Sequence, residues 1–235
     1  MMRLNKYLAE CSVCSRREAD RLIDEGRVTV NGKTAVVGTQ VGPRDTVLVN
    51  GKKIVKAQQV LLAYYKPKGI VSSTKHNDKA KTVTECVDIG TRIYPIGRLD
   101  KDSEGLLLLT NMGELAERIA KAGDSHEKEY IVKVKRVISG SFIDRMRRGV
   151  TIELPSKDRE SEEETYLYTT KPCKCERIDD HTMRVILTEG KNRQIRRMCE
   201  ALGQKVINLK RVRIMDIELG DLKPGEWRYI RRNSL

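Results

Sequence analysis

The chain has 235 residues, and 46 lysines and arginines against 33 aspartates and glutamates give it a net charge of +13. No run of 18 apolar residues occurs, and the first ten residues lack the apolar segment of a secretory signal. These features argue against a membrane span and predict a cytoplasmic protein. The charge favours a polyanionic partner, with nucleic acid first and an anionic membrane surface second.

The cysteines do not indicate a metal site. Cys11 and Cys14 form one close pair, and Cys173 and Cys175 form another. The second spacing matches a zinc ribbon poorly, and Cys11 falls on an apolar helix stripe. We therefore expect free thiols and no bound metal.

The N-terminal 60 residues predict two helices and a small twisted sheet. The stripe from Leu4 to Cys11 is typical of a short amphipathic helix. Ser15 followed by Glu18 predicts a capping box at the start of a second helix. Asn31-Gly32 predicts a hairpin turn, and the same Val-Asn-Gly-Lys pattern returns at Val49 to Lys52.

Two arginines break a local rule in this segment. Arg16 and Arg17 lie in the first turn of the second predicted helix, where cations oppose the helix dipole. Local rules are often broken at functional sites, but a solvated basic face is an equally good interpretation.

From residue 61 onward, apolar runs predict a second α+β domain that extends to residue 235. Strands are predicted at 60–65, 93–96, 106–109, 130–134, 183–188, 214–219 and 227–230, and helices at 113–123, 142–146 and 195–203. Asn111 is the expected cap of the first of these helices, with Gly123 as its stop. Residues 151–170 carry six acids and two bases, which predicts an exposed loop or a disordered excursion.

A polar loop from Gly97 to Gly105 separates two of the predicted strands. Asp100 lies in it between Arg98 and Lys101, and neighbouring cations would keep that carboxylate ionised, as a nucleophile or base requires. On the residues alone, a surface ion pair is the favoured interpretation of Asp100, and Asp102 competes with Asp100 for the catalytic role. Dinucleotide, triphosphate and serine-hydrolase motifs do not occur in the sequence.

The whole segment from Gly97 to Asn111 resembles the signature motif of the RsuA family of bacterial rRNA pseudouridine synthases. Three other blocks are similar to motifs of the same family: Lys66 to Gly69, His126 to Tyr130 and Gly190 to Met198. The N-terminal unit resembles the S4 RNA-binding domain. The resemblance implies an S4-like domain at 1–60 and a catalytic domain at 61–235 with a mixed, mainly antiparallel sheet flanked by helices.

The resemblance also implies roles for individual residues. Asp100 corresponds to the catalytic aspartate, Tyr130 to the tyrosine that lies against the target uracil, and Arg196 to the basic residue that pairs with Asp100. The residues expected to contact RNA are Arg3, Lys6, Arg16, Arg17, Arg21, Lys33, Arg98, Arg193 and Arg197. The tyrosine and C-terminal blocks are most similar to the RluF type, which modifies large-subunit rRNA.

The implied enzyme isomerises uridine to pseudouridine after extruding the base from its stack, and it needs no cofactor. We expect a monomer that acts on rRNA, with structured tRNA as a further possible substrate. The acidic stretch 153–164 and the short C-terminal tail depart from the family pattern. A non-catalytic ribosome assembly protein and an S4-domain RNA methyltransferase are the alternatives; the second lacks a cofactor-binding glycine loop.

Overall fold

The computed structural model describes residues 1–74, 76, 79–121, 126–156 and 165–231. An N-terminal unit contains β1 (Met2–Arg3), α1 (Leu4–Glu10), α2 (Arg16–Asp24), β2 (Val28–Val30), β3 (Lys33–Thr34), β4 (Gln40–Val41), β5 (Val47–Val49) and β6 (Lys52–Lys53). Strands β3, β2, β5 and β6 form a small antiparallel sheet in that order. The two helices pack on it through buried residues that include Leu4, Leu8 and Ala19.

The predicted helices and turns of this unit are present. Ser15 caps α2 by accepting a hydrogen bond from the Glu18 amide at 3.2 Å. The reciprocal half of the predicted capping box is absent, because the Glu18 carboxylate pairs with Arg21 instead. Asn31 and Gly32 have φ angles of 50° and 79°, the left-handed pair that a tight hairpin turn requires.

The C-terminal unit contains β7 (Leu61–Lys66), α3 (Val83–Cys86), β8 (Tyr94–Ile96), β9 (Glu104–Thr110), α4 (Gly113–Lys121), β10 (Lys128–Val134), α5 (Gly140–Arg148), β11 (Thr151–Pro155), β12 (Thr165–Thr169), β13 (Lys174–Arg177), β14 (Thr182–Leu187), α6 (Gln194–Ala201), β15 (Val206–Ile214), β16 (Ile217–Glu218) and β17 (Trp227–Tyr229). The path through its main sheet is β13-β14-β10-β15-β9-β7-β17, with β8 beside β9 and β16 beside β15. The pairing is antiparallel except between β15 and β9, so the predicted mixed, mainly antiparallel α+β fold is confirmed.

The parallel contact between β9 and β15 holds the centre of the sheet together. Gly105 of β9 pairs with Arg211 of β15 and has a φ angle of 106°. A Cβ atom at Gly105 would lie 2.2 Å from the Arg211 carbonyl oxygen, so only glycine fits this close approach. The polar loop 97–103, which enters β9, is therefore anchored directly against β15.

Other local predictions, in the C-terminal unit, are wrong. Residues 151–155 and 165–169 form the antiparallel strand pair β11–β12, not a loop or a disordered excursion, because Ile152 and Leu154 alternate into the core while Glu153 between them is exposed. Asn111 does not cap α4; its side chain accepts from the Val60 amide and donates to the Gln58 carbonyl. The predicted helix stop at Gly123 and most of the acidic stretch (157–164) lie outside the described residues.

The described helices include none with the length and apolar character of a membrane span.

Candidate active site

Asp100 projects from the loop that joins β8 to β9. Its main chain is fixed, because the Asp100 carbonyl accepts a hydrogen bond from the Ser103 amide at 3.1 Å. Its side chain remains 38% exposed, and the Arg193 guanidinium lies 3.8 Å from one of the carboxylate oxygens. Asp100 is thus a well-placed carboxylate whose oxygens are accessible to a substrate.

Arg193 binds the neighbouring carboxylate more closely. It donates two hydrogen bonds to Asp102, at 2.9 and 2.8 Å, in a bidentate arrangement. These bonds lower the pKa of Asp102 and raise the pKa of Arg193. Arg193 stands at the N-cap of α6 with a φ angle of 50°, a conformation that non-glycine residues rarely adopt. The backbone at the start of α6 therefore aims this arginine at both aspartates.

The predicted pair between Arg196 and Asp100 is not formed. Arg196 turns inward as expected, with a side chain only 14% exposed, but its Nε lies 3.4 Å from the Asp102 carboxylate. Its Nη2 donates to the Asp102 carbonyl at 2.9 Å and to Ser103 Oγ at 3.1 Å. Arg193, at the start of the helix, is the arginine that reaches Asp100. Arg196 contacts the loop at Asp102, two residues further along the chain.

Asp100 lines a cavity of about 510 Å³, a size typical of small-ligand sites. Tyr130 on β10 lines the same cavity and is 9% exposed, so its ring forms part of the wall. Leu209 and Ile214 from β15 supply apolar surface, while Arg193, Arg196 and Arg98 supply positive charge. The cavity can thus hold a planar, mainly apolar ring beside a carboxylate and cations.

Two buried cations lie close to the loop. The Lys66 side chain is fully buried and donates to the Pro67 and Ile70 carbonyls, and burial lowers the pKa of Lys66 to about 8. Arg211, 4% exposed, donates to the Leu106 carbonyl at 2.7 Å and to the Arg98 carbonyl at 3.3 Å. Arg211 therefore ties both ends of the Asp100 loop to β15.

Comparison with known proteins gives two family matches. Residues 60–201 match the model for RNA pseudouridylate synthase, and residues 2–47 match the model for the S4 domain. The chain belongs to the RNA pseudouridylate synthase family. It is a pseudouridine synthase of the RsuA family with an N-terminal S4 domain, and the RluF-type resemblance is confirmed.

Several relatives of this pseudouridine synthase are similar over nearly its whole length. It is 45% identical to the dual-specificity RNA pseudouridine synthase RluF of Escherichia coli K12, over 100% of this chain and 77% of that protein. It is 38% identical to ribosomal large subunit pseudouridine synthase B of Bacillus subtilis, over 98% of this chain and 92% of that one. A crystal structure of a pseudouridylate synthase matches with a TM-score of 0.66 and 28% identity, covering 99% and 97% of the two chains.

These matches decide between the alternatives left open by the residues. The alternative of an S4-domain methyltransferase is wrong, because the matched family is that of pseudouridine synthases. Membership in an enzyme family also disfavours the alternative of a non-catalytic assembly protein. The S4 domain accounts for a basic N-terminal unit. The residues predicted to bind RNA in that domain are exposed, except the half-buried Lys6: Arg3, Arg16, Arg17, Arg21 and Lys33.

Two of the predicted RNA-binding residues in the S4 domain of the synthase are engaged by acids. Lys6 Nζ lies 2.5 Å from the Glu114 carboxylate at the start of α4. This ion pair connects the S4 domain to the catalytic domain. Arg21 pairs with Glu18 on its own helix and with Glu25 at the C-cap of that helix. Near the cavity, Arg98 is exposed, whereas Arg197 donates to Asn192 at the rim.

Sequence reasoning gave no role to Lys66 or Arg211 and left Asp102 as a competitor. Lys66 lies in the Lys66 to Gly69 block that resembles a family motif, but the sequence does not show that its side chain is buried. Arg211 stands in an alternating strand, where its neighbours Leu209 and Arg213 gave no sign that it is buried. The role of Arg211 becomes visible in the structure, where β15 pairs with β9 and Arg211 donates to the Leu106 and Arg98 carbonyls.

Proposed function

We propose that this pseudouridine synthase modifies a uridine of large-subunit rRNA and that Asp100 is its catalytic aspartate. The observation that carries the proposal is the accessible Asp100 carboxylate in a cavity lined by Tyr130 and several arginines. We place the domain boundary near residue 60, between β6 and β7. The enzyme would act as a monomer in the cytoplasm, where bacterial rRNA is found.

The reaction balances within the substrate itself. The N1–C1′ bond of uridine breaks, the freed uracil rotates, C5 bonds to C1′, the C5 proton leaves to water and N1 is protonated. Asp100 would act on the ribose or the base during this exchange, while the face of Tyr130 holds the uracil that has left its stack. Arg193 and Arg196, held by Asp102, would keep the site positively charged and orient the Asp100 carboxylate.

The choice of rRNA is supported by charge and by the named relatives. Residues 191–213 carry eight bases and one acid, a local charge of +7 beside the cavity that would attract an RNA backbone. The B. subtilis relative is named for the large ribosomal subunit, and the RluF relatives are named for dual specificity. We therefore include a structured tRNA as a second candidate substrate.

The proposal is tested with transcripts tritiated at uridine C5, because pseudouridine formation releases that tritium to water. Purified enzyme is given large-subunit rRNA, small-subunit rRNA and tRNA separately, without cofactor. We expect stoichiometric release from large-subunit rRNA and none from small-subunit rRNA. Release from small-subunit rRNA alone would contradict the proposed substrate, and release from tRNA in addition would show a dual specificity.

A further inference from the structure

A single hydroxyl group holds the residue that precedes Asp100. Ser72 Oγ donates a hydrogen bond to the Leu99 carbonyl at 2.7 Å and accepts one from the Leu99 amide at 3.1 Å. One side chain thus satisfies both main-chain polar groups of Leu99, which is 7% exposed. The sequence motifs do not assign a role to Ser72.

The same segment holds the other side of Asp100. The amide of Gly69 donates to the Lys101 carbonyl at 2.7 Å. Residues 69–72 therefore contact the loop immediately before and immediately after Asp100. The peptide groups on both sides of the aspartate are fixed, while among the described residues its carboxylate is paired with Arg193 alone, at 3.8 Å.

The segment that carries Ser72 is itself firmly attached. Val71, the preceding residue, accepts from the Val83 amide at 3.0 Å, and its own amide donates to the Lys81 carbonyl at 2.9 Å. Val83 is fully buried at the start of α3. The Ser72 hydroxyl is consequently a rigid support and not a mobile surface group.

We propose that Ser72 is a positioning residue for Asp100, and this rests on the proposed catalytic role of that aspartate. Without the hydroxyl, the Leu99 amide and carbonyl lose their partner in a largely buried place, and the loop must move to find another. A displacement of about 1 Å at a reacting group can cost a hundredfold in rate. Ser72 would affect the chemical step and not RNA binding, because its hydroxyl contacts the loop backbone and it is not among the residues that line the cavity. It also lies outside the S4 domain.

The test compares Ser72→Thr with Ser72→Val, which have the same shape and differ in the hydroxyl, alongside Ser72→Ala. Single-turnover tritium release, RNA affinity and melting temperature are measured for each. We expect Ser72→Val and Ser72→Ala to slow the chemical step at least tenfold, with RNA Kd within twofold. Ser72→Thr is expected to stay within threefold of the wild-type rate. Ser141→Ala on α5, far along the chain from the loop, is the matched control.

Equal rates for Ser72→Thr and Ser72→Val would overturn the proposal, as would a Ser72→Ala rate within twofold of wild type. A melting-temperature loss shared by all three variants, with unchanged rates, would show a purely structural role and would also overturn it. Asp100→Asn is run in parallel. If that variant remains active, the role of Asp100 fails; if it is inactive while the Ser72 variants are normal, only the role of Ser72 fails.

Discussion

Arg193 donates hydrogen bonds to Asp102 from both terminal nitrogens of its guanidinium, and one of these nitrogens lies 3.8 Å from an Asp100 carboxylate oxygen. Two carboxylates two residues apart thus share one arginine unequally. The bidentate pair takes up the arginine's hydrogen-bonding capacity and leaves the Asp100 oxygens open to substrate. Asp102 therefore determines how free the neighbouring carboxylate is.

Replacing Asp102 with asparagine tests this division. An amide has one acceptor oxygen and no charge, so it cannot form the bidentate pair with Arg193, and Arg193 is released to pair with Asp100 and obstruct its oxygens. We expect kcat to fall about tenfold with little change in RNA affinity. Asp144→Asn removes another aspartate that pairs with an arginine, but on the distant helix α5, and should leave kcat unchanged. A normal kcat in Asp102→Asn would show that the pair is incidental.

The ion pair between Lys6 and Glu114 leads to a prediction about RNA binding. Lys6 was predicted to contact RNA, yet its ammonium group is occupied by a carboxylate of the catalytic domain. Glu114→Gln would free Lys6 for a phosphate, and because exposed ion pairs are weak we expect RNA Kd to fall about two- to fivefold at low salt.

Lys6→Met, in turn, should weaken RNA binding and reduce the slope of log Kd against log salt by about one. Glu176→Gln on β13 removes the same charge far from the S4 domain and serves as the control. Equal tightening by Glu114→Gln and Glu176→Gln would mean that net charge, not the release of Lys6, is responsible.

The buried Lys66 predicts a dependence of stability on pH. Its pKa in the folded protein is about 8, below the ordinary lysine value of 10.5, because burial disfavours the charged form. Between these values the unfolded chain binds more protons at this site, so the Lys66 contribution to stability rises with pH from about 8 to 10.5. The buried thiols of Cys175 and Cys199 act in the opposite direction, since burial raises the pKa of each to about 12.

A comparison with Lys66→Met isolates the lysine, because both proteins contain the thiols. The free energy of unfolding, measured by urea denaturation from pH 7 to 10.5, should increase in wild type relative to Lys66→Met as pH rises. A constant difference between the two proteins would show that Lys66 does not titrate in this range.

The tight contact at Gly105 predicts a large cost for the smallest side chain. Gly105→Ala should lower the free energy of unfolding by about 3 kcal/mol or more, because the methyl group meets the Arg211 carbonyl at 2.2 Å. Gly225→Ala has a similar φ of 91° but open space around its Cβ, and should cost only about 1 kcal/mol. Equal losses in denaturant melts would contradict steric exclusion at Gly105.

Local pattern predicted much of this fold. The Asn31-Gly32 turn and the apolar run Leu106 to Leu109 are determined by residues close in sequence, and both are present. The β11–β12 strand pair was missed because its acids dominated the composition, although Ile152 and Leu154 alternate as a strand should. Burial on the core decided that segment, not its charge.

The site was predicted less completely than the fold, because its contacts join residues that are far apart in the sequence. Asp100, Tyr130 and Arg196 were named from motifs, but which arginine meets which carboxylate depends on how α6 approaches a loop some 90 residues earlier. The left-handed backbone at Arg193 sets that approach. Asn111 shows the same limit: a strong capping signal was overridden by the chain at Val60, 51 residues away.

We propose that Asp100 performs the chemistry and is not needed to hold RNA. The direct test measures RNA affinity and single-turnover tritium release together for wild type, Asp100→Asn and the control Asp144→Asn. We expect Asp100→Asn to bind RNA within a few-fold of wild type and to release tritium at less than about one thousandth of the wild-type rate. Sustained tritium release by Asp100→Asn would contradict the proposal.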